Sequence, residues 1–268
     1  MPKVSVVMGV YNCKDEEALF KSVKSIIEQK YCDWEFIIIN DGSNDDTSKL
    51  LDKVKKLDDR IVVVSYTPNN GLAFALNYGI SLAKGEYIAR MDDDDISRED
   101  RLEKQIRYLE EHPEIDFIGS IANVFNKEGI WGSLKMPQFP TKNDFLWNIP
   151  FIHPSMVFRK KLFESCQYNT DKINLRCEDY TLVMELYSLG FRGYNFQEPL
   201  INYFVDNGSK KYRPMKDRIT EAIVRYRGYK KNGILLKGIP FILKPVILGL
   251  VPQIIFKRIK EIQYSRSK

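Results

Sequence analysis

Four consecutive aspartates, Asp92, Asp93, Asp94 and Asp95, are the side chains whose type and spacing best suit chemistry in this sequence. Adjacent carboxylates repel one another, so the run is costly unless a cation or a helix start offsets its charge. Carboxylate oxygens with room for further oxygen ligands suit Mg²⁺ or Mn²⁺, and either ion can carry a diphosphate. The run therefore indicates a divalent-cation site. The alternative is a solvated acidic helix start, which fits Asp95 in particular.

The residues after the aspartates distinguish this pattern from a calcium loop. Asp92, Asp94 and Glu103 match three EF-hand ligand positions, but Ser97 stands where that loop requires a glycine for its turn. Ser97 and Asp100 instead form an S-x-x-D capping pattern before apolar residues at helical spacing. The sequence thus predicts a helix that begins at Ser97 and runs to about residue 111.

A second acidic pair, Glu178 and Asp179, stands at the start of another helical pattern. A carboxylate that is ionised near neutral pH can take the proton from a hydroxyl group within hydrogen-bond reach. Asp179 is therefore a candidate general base, and an acid that stabilises a helix start is the alternative. For His153, the most ordinary interpretation is a buried, hydrogen-bonded histidine.

The first part of the chain alternates β-rich runs with helical patterns. Strands are predicted at residues 4–10, 36–39, 61–64 and 87–89, and helices at residues 16–29, 45–57 and 72–83. Ser43 or Asn44 is the predicted cap of the second helix. This alternation predicts an α/β fold with a mostly parallel sheet and right-handed crossovers.

Polar residues follow each of these predicted strands. They lie at residues 11–12, 40–43, 69–71 and 92–95. In such sheets ligands bind at the carboxyl ends of the strands, so these segments should converge on one rim. There Asp41 can accept hydrogen bonds from a base or ribose, although Asp-Gly is also common turn chemistry. Tyr11 can stack on a base, with simple packing as the alternative.

Beyond residue 97 the alternation weakens. Strands are predicted near residues 117–125, 154–158 and 200–204, and a helix at residues 178–189. A loop rich in glycine, proline and aromatic residues fills much of the interval before residue 154. The second half is thus predicted to be less regular than the first.

Five segments of the chain carry a family resemblance. They are SVVMGVYN (5–12), FIIINDGSND (36–45), NGLAFALN (70–77), GEYIARMDDDD (85–95) and RLEKQ (101–105). Together and in this order they resemble the family 2 inverting glycosyltransferases. The resemblance covers about residues 3–205 and is tight to about residue 105. It implies the GT-A fold, an α/β fold with a Rossmann-like nucleotide-binding half and a mostly parallel central sheet.

The resemblance also implies a role for individual residues. The donor would be a UDP-sugar, and its nucleotide contacts would come from Val10, Tyr11, Asn12, Asp41, Asn70, Gly71, Asn77, Asp92 and Asp93. Asp92 and Asp94 match the D-x-D motif that binds Mn²⁺ or Mg²⁺, and Asp179 matches the catalytic base. His153 and Glu178 match the side that lines the donor sugar and the acceptor.

The implied reaction is a direct displacement that inverts the anomeric carbon. Asp179 would take the proton of the acceptor hydroxyl, and a metal held by Asp94 would stabilise the departing UDP. The chain departs from the family at one point, since it has no Q-x-x-R-W motif after Asp179 and residues 224–227 are a poor substitute. We therefore expect transfer of a single sugar.

Charge divides the chain into two unlike parts. Residues 1–204 hold 25 basic and 32 acidic residues, and residues 205–268 hold 16 and 4. We expect a catalytic domain at 1–205, with a nucleotide-sugar half (1–105) and an acceptor half (106–205), followed by a basic, apolar helical tail at 206–268. The longest charge-free run of the tail has twelve residues, and a membrane span needs about 20. The tail therefore predicts peripheral contact with an anionic membrane, with packing on the catalytic domain as the alternative.

Other features bear on compartment and partners. The four cysteines have no spacing typical of a disulfide framework or a metal knuckle, and the N-terminus lacks the order of a signal peptide. We expect a cytoplasmic protein at the inner face of the membrane, acting on a glycan or lipid-linked acceptor. Nucleic acid is not an expected partner, because the predicted rim is acidic and no recognition motif is present.

Two other functions remain open from the sequence. A sugar nucleotidyltransferase usually needs a glycine-rich, basic phosphate loop after the first strand, and residues 11–14 do not provide one. A non-catalytic sugar-nucleotide binder, or a regulator with an acidic Mg²⁺ pocket, would also account for the clustered aspartates.

Overall fold

The first half of the chain forms the parallel part of one sheet. The computed structural model describes residues 1–171, 176–205 and 214–250. The strands of the first half are β1 (Val4–Val10), β2 (Trp34–Asp41), β3 (Ile61–Tyr66) and β4 (Tyr87–Arg90), and its helices are α1 (Glu16–Ile27), α2 (Thr47–Val54) and α3 (Leu72–Leu82). β1 pairs in parallel with β2 and β4, and β2 pairs in parallel with β3. The predicted alternation is confirmed.

The second half extends the same sheet with mixed pairing. Its elements are β5 (Ile96–Ser97), α4 (Arg101–Glu111), β6 (Phe117–Asn126), β7 (Gly129–Leu134), β8 (Val157–Arg159), α5 (Glu178–Ser188) and β9 (Gly193–Phe204). The strand order is β3-β2-β1-β4-β8-β6-β9-β5, and β7 pairs with β6 outside that path. β8 is antiparallel to both β4 and β6, so it joins the two halves into one sheet.

Two apolar layers cover the two faces of this sheet. One is built on α1, α2 and α4, and the other on α3, α5 and the C-terminal helix α6 (Met215–Lys231). Along β1 the side chains alternate between them, with Val6 and Met8 in the first layer and Val7 in the second. Because both faces are covered, the parallel strands are nearly continuous apolar runs.

Three helices form the described part of the predicted tail. They are α6, α7 (Leu235–Ile242) and α8 (Lys244–Leu250). Within the described ranges, no helix is long and apolar enough to cross a membrane. The remainder of the predicted tail, residues 206–213 and 251–268, lies outside the described residues.

The predicted helix start at Ser97 is wrong. Ser97 belongs to β5, which pairs with the end of β9, and α4 begins at Arg101 with Asp100 in the N-cap position. Asp100 makes no capping hydrogen bond with its side chain, because its carboxylate is paired with Arg98 and Lys104. The pairing of β5 thus holds the chain extended beyond the aspartates before the helix can start.

Three other boundaries differ from the prediction. α2 begins at Thr47, and Ser43 does not cap it, since the Ser43 hydroxyl accepts a hydrogen bond from the backbone N–H of Asn12 instead. A short 3₁₀ turn (His153–Ser155) precedes β8 in the segment predicted to be one strand. β9 begins at Gly193, earlier than predicted, because its first residues also pair with β6.

Candidate active site

The loops that follow β1 and β2 are locked together at the carboxyl ends of their strands. Asn12 has a positive φ of 47°, and its side-chain oxygen accepts a hydrogen bond from Asn44 N at 3.0 Å. Tyr11 precedes it and is 49% exposed, so its ring is open to a ligand at the rim. Val10 is buried in the core, and its contact with a nucleotide stays a prediction.

Asp41 ends β2, and its buried carboxylate organises the loop before α3. The Tyr66 hydroxyl and the Asn70 backbone N–H donate to Oδ1 at 2.7 and 2.9 Å, and Asn69 Nδ2 donates to Oδ2 at 2.7 Å. These bonds fix Asn70 and Gly71, the N-cap residue of α3, beside the end of β2. The sequence-predicted nucleotide residues Asp41, Asn70 and Gly71 are therefore brought together.

Asn77 has a different set of partners. Its Nδ2 donates to the carbonyl of Tyr168 at 2.8 Å, and Tyr168 N donates to its Oδ1 at 3.0 Å. Both polar atoms of the side chain thus tie α3 to the segment before α5. The contact of Asn77 with a nucleotide stays a prediction.

His153 is buried and forms a hydrogen bond with Tyr168. Its Nε2 is 2.7 Å from the Tyr168 hydroxyl, and the histidine is 9% exposed. Burial, and then the charge of Arg90, lower the pKa of His153 well below its usual value, so the ring is neutral at physiological pH. Its predicted place on the sugar side of the site stays a prediction.

The four aspartates occupy the turn between β4 and β5, but their surroundings differ. Asp94 is exposed, Asp92 is 30% exposed, and Asp95 is 1% exposed. Reduced solvation within the turn, and then the charge of Asp92, raise the pKa of Asp93 to about 6 and that of Asp94 to about 7. The loop therefore concentrates negative charge that its protein neighbours only partly neutralise.

A divalent cation fits this donor set. Within the described ranges, no group of three or more His, Cys, Asp or Glu side chains could hold a metal ion on protein ligands alone. An exposed Asp94 next to a half-buried Asp92 instead offers one or two hard oxygen ligands, which suits Mg²⁺ or Mn²⁺ when a diphosphate supplies others. The cation would also relieve the mutual repulsion of the carboxylates.

Arg90 is a site residue that the sequence reasoning missed. It ends β4, is 2% exposed, and its Nη2 donates to the carboxylate of Asp92. Its Nε and Nη1 have no hydrogen-bond partner among the described residues. Its charge also acts on Glu178, His153 and Tyr168, so Arg90 is within electrostatic reach of the start of α5 as well as bonded to the aspartate loop. The signal in the sequence is an arginine at the end of an apolar strand, two residues before an acidic cluster.

The interpretation of Asp95 as a solvated helix-start acid is wrong. Its Oδ1 accepts a hydrogen bond from Phe204 N at 2.7 Å, and its Oδ2 has no partner within the described part of the chain. Burial raises the pKa of Asp95 well above its usual value. The charge of Asp95 in turn acts to raise the pKa of the fully buried Arg101, so the two residues are within electrostatic reach of each other. Asp95 thus anchors the aspartate loop to the end of β9.

Asp179 lies in the first turn of α5, near the aspartate loop. The charge of Asp92 acts on both Glu178 and Asp179, which places the two acidic segments within electrostatic reach of each other. Burial, and then Glu178, raise the pKa of Asp179 to about 7. A carboxyl group with such a pKa can accept and release a proton near neutral pH, as a general base must.

The comparison with protein families gives one match across most of this site. Residues 5–166 match the family described as glycosyl transferase family 2. EpsE of Bacillus subtilis (strain 168), assigned as a glycosyltransferase, is 35% identical over 259 residues, which cover 96% of this chain and 92% of EpsE. A UDP-Gal:alpha-D-GlcNAc-diphosphoundecaprenol beta-1,3-galactosyltransferase of Escherichia coli is 28% identical, covering 87% of this chain and 86% of that enzyme.

Solved structures with the same fold include two sugar-nucleotide complexes. TarS 1–349 of S. aureus with UDP-GlcNAc superposes with a TM-score of 0.71 at 16% identity, covering 97% of this chain and 79% of that one. The mannosyltransferase PcManGT of Pyrobaculum calidifontis, with GDP-Man and Mn²⁺, gives 0.65 at 17% identity, covering 99% and 82%. At these identities the likeness concerns the fold alone, and the GT-A prediction is confirmed.

Proposed function

The chain belongs to glycosyl transferase family 2, and we propose that it is a metal-dependent, inverting enzyme that transfers one sugar from a UDP-sugar. The acceptor would be a hydroxyl of a glycan or a lipid-linked glycan in surface polysaccharide synthesis. One observation carries the proposal: two acidic segments far apart in sequence, at Asp92 and at Asp179, lie within electrostatic reach of each other. A leaving diphosphate and an attacking hydroxyl need these two kinds of carboxylate on either side of one sugar.

In this mechanism the chain's own residues bind the donor and move one proton. Tyr11 would stack on the base, and the loop fixed by Asp41 would lie against the nucleoside. Asp179 would take the proton from the acceptor hydroxyl as that oxygen attacks the anomeric carbon. Asp92 and Asp94 would hold Mg²⁺ or Mn²⁺, which when bound neutralises charge on the diphosphate.

The buried position of Arg225 favours transfer of a single sugar over processive polymerisation. Arg225 belongs to residues 224–227, the poor substitute for the missing Q-x-x-R-W motif. It is 3% exposed. It donates to the Leu146 carbonyl at 3.2 Å and to the Tyr229 hydroxyl at 2.8 Å. A side chain committed to these buried bonds is poorly placed to bind a growing polymer.

The acceptor side of the proposal includes a membrane. The E. coli relative acts on a diphosphoundecaprenol-linked sugar, as its name states. Residues 205–268 of this chain carry a net charge of +12, which suits an anionic lipid surface. We propose a peripheral protein at the inner face of the cell membrane, where a lipid-linked acceptor would be within reach.

The test is donor hydrolysis and nucleotide binding. The purified chain, with Mn²⁺ or Mg²⁺, would be incubated with a panel of UDP-sugars, and GDP-mannose would be included because the fold also accommodates that donor in PcManGT. Release of UDP from one donor, suppressed by EDTA, is the expected result. A chain that neither binds UDP nor hydrolyses any donor would overturn the enzyme claim and favour the non-catalytic alternative.

A further inference from the structure

An exposed apolar stripe runs along α7 and α8. It consists of Leu236, Ile239, Leu243, Ile247 and Leu250, which are 86%, 54%, 55%, 56% and 74% exposed. Leu236 and Ile239 lie about one turn apart on α7, Ile247 and Leu250 lie about one turn apart on α8, and Leu243 lies at the junction between the two helices. Monomeric soluble domains rarely expose such a contiguous row, so the stripe calls for a partner.

The stripe is fixed to the catalytic domain by the opposite side of α7. Gly238 lies against the ring of Tyr229 so closely that a Cβ there would be 2.2 Å from Cδ2 of that ring. Phe241 packs edge-on against Trp147, with ring centroids 5.0 Å apart, and Lys244 Nζ lies 5.4 Å from the Trp147 ring centroid. The stripe is thus a built surface of the folded domain.

Trp147 connects this surface to the acceptor half. It is 66% exposed and follows the 3₁₀ turn Lys142–Leu146. The carbonyl of Phe145 in that turn accepts hydrogen bonds from the hydroxyls of Tyr180, on α5, and Tyr229, on α6. The helix that carries Asp179 and α6 therefore share one buried anchor, and α7 packs on α6 through the contact of Gly238 with Tyr229.

Charge identifies the partner as an anionic bilayer. Residues 233–268 contain seven basic residues and one acidic residue, Glu261. Lys237 is exposed between Leu236 and Ile239, and Trp147 and Lys244 are side chains that favour the membrane interface. Within the described ranges α7 and α8 are too short to cross a membrane, so such helices would lie in the plane of the interface.

We propose that Trp147 and the stripe form a docking surface that inserts into the headgroup region of an anionic membrane. Docking would hold the acceptor half at the lipid surface, in a fixed orientation relative to Asp179. The benefit of this orientation rests on the proposed function, since it matters most for a lipid-linked acceptor. The docking itself does not depend on catalysis.

The experiment compares full-length variants in cosedimentation with vesicles. Leu236→Ser/Ile239→Ser/Leu243→Ser removes part of the stripe, and Leu57→Ser/Val62→Ser/Leu82→Ser removes three exposed apolar side chains from the nucleotide half as a matched control. On phosphatidylcholine vesicles that contain phosphatidylglycerol, we expect the stripe variant to bind at least about tenfold more weakly and the control to bind like the wild type. Lys237→Gln should weaken binding about fivefold, and only when phosphatidylglycerol is present.

Three results would overturn the docking surface. The first is binding of the stripe variant to vesicles at the wild-type level, and the second is an equal loss of binding in both triple variants. The third is a wild-type protein that does not bind vesicles and is a dimer in solution, while the stripe variant is a monomer. UDP-sugar hydrolysis by the same variants is measured without vesicles. Vesicle binding without hydrolysis by the wild type would refute the proposed function and leave the docking surface standing.

Discussion

Arg90 and Asp92, which are two residues apart in the sequence, form an ion pair whose partners differ sharply in exposure to solvent. The guanidinium of Arg90 is 2% exposed, whereas the carboxylate of Asp92 is 30% exposed. Nε and Nη1 of Arg90 have no other partner among the described residues. Among the described residues, Asp92 is therefore the one carboxylate that forms an ion pair with the buried guanidinium of Arg90. Asp92 itself is also in contact with water.

This asymmetry predicts unequal effects of removing each partner. Asp92→Asn leaves a buried guanidinium without its carboxylate and should cost about 3 kcal/mol of unfolding free energy. Arg90→Met fills a similar volume and leaves an acid that water can solvate, so it should cost less than about 1.5 kcal/mol. Urea unfolding of both variants and of the double variant measures the pair. Equal losses in the two single variants would contradict this account.

The pKa of Asp179 predicts the pH dependence of transfer. Because the base must be ionised, kcat/KM should rise with pH and level off above about 7. Glu178→Gln removes the neighbouring charge that raises this pKa, so the rising limb should move to lower pH. Asp179→Asn should lower kcat about 10²–10⁴-fold and leave UDP binding intact. An unshifted limb in the Glu178→Gln variant would mean that another group controls it.

The same pKa predicts an effect on stability. Asp179 titrates at about 7 in the folded protein and near the ordinary value of 3.8 when unfolded. The folded state therefore binds the additional proton, and stability is lost as pH rises from about 4 through about 7. Asp179→Asn should be more stable than the wild type at pH 8, by an amount on the order of a few kcal/mol, and the gain should vanish at low pH. Thermal unfolding at several pH values would show a constant difference if Asp179 does not titrate in this range.

The aspartate loop predicts metal-dependent nucleotide binding. Asp94→Asn should weaken UDP binding in the presence of Mn²⁺ at least about tenfold, or about 1.4 kcal/mol, and should have little effect in EDTA. Asp46→Asn is a suitable control, because Asp46 is an exposed acid paired with Lys49 on α2. Calorimetric titration of UDP measures both variants. A loss of the same size in EDTA would assign Asp94 to the nucleotide and not to a metal.

The two hydrogen bonds between Asn77 and Tyr168 predict a structural role for this asparagine. Asn77→Ala leaves the backbone N–H and carbonyl of Tyr168 without these partners and should cost about 1–3 kcal/mol. Affinity for UDP should stay within a few-fold of the wild type. Thermal unfolding and UDP titration together decide the matter, since a large loss of UDP affinity would support the nucleotide contact that the family resemblance implies.

The buried polar cluster that α6 forms with Phe145 and Leu146 predicts that the packing of this helix stabilises the fold. The Tyr229 hydroxyl donates to the carbonyls of Phe145 and Leu146 at 3.1 and 3.3 Å and accepts from Arg225. Tyr229→Phe should therefore cost about 1–3 kcal/mol of unfolding free energy. Tyr226→Phe, on the same helix and 46% exposed, should change it by less than about 0.5 kcal/mol. A neutral Tyr229→Phe would show that α6 is only loosely attached.

The parallel half of the fold followed from the sequence because its signals are local. Apolar runs at period two or in continuous stretches, each followed by a helical pattern, leave few topologies that bury all of them. The turn residues after the strands then had to meet on one rim, and the structure brings Asp41, Asn70 and Gly71 together there. The boundary errors at Ser43 and Ser97 arose because long-range partners use the groups that a local capping rule assigns to a helix.

What the sequence alone determined is the class of the chain: an α/β fold of glycosyl transferase family 2, with an acidic rim and a basic C-terminal segment. The tertiary structure decided the environment of each charge. The burial of Asp95 and Arg90, the bonds that occupy Asn77, and the stripe left exposed on α7 and α8 all depend on which residues distant in sequence pack together. Burial and long-range contact set the free energy of a charge or an apolar surface, and a residue's type and sequence neighbours do not specify them.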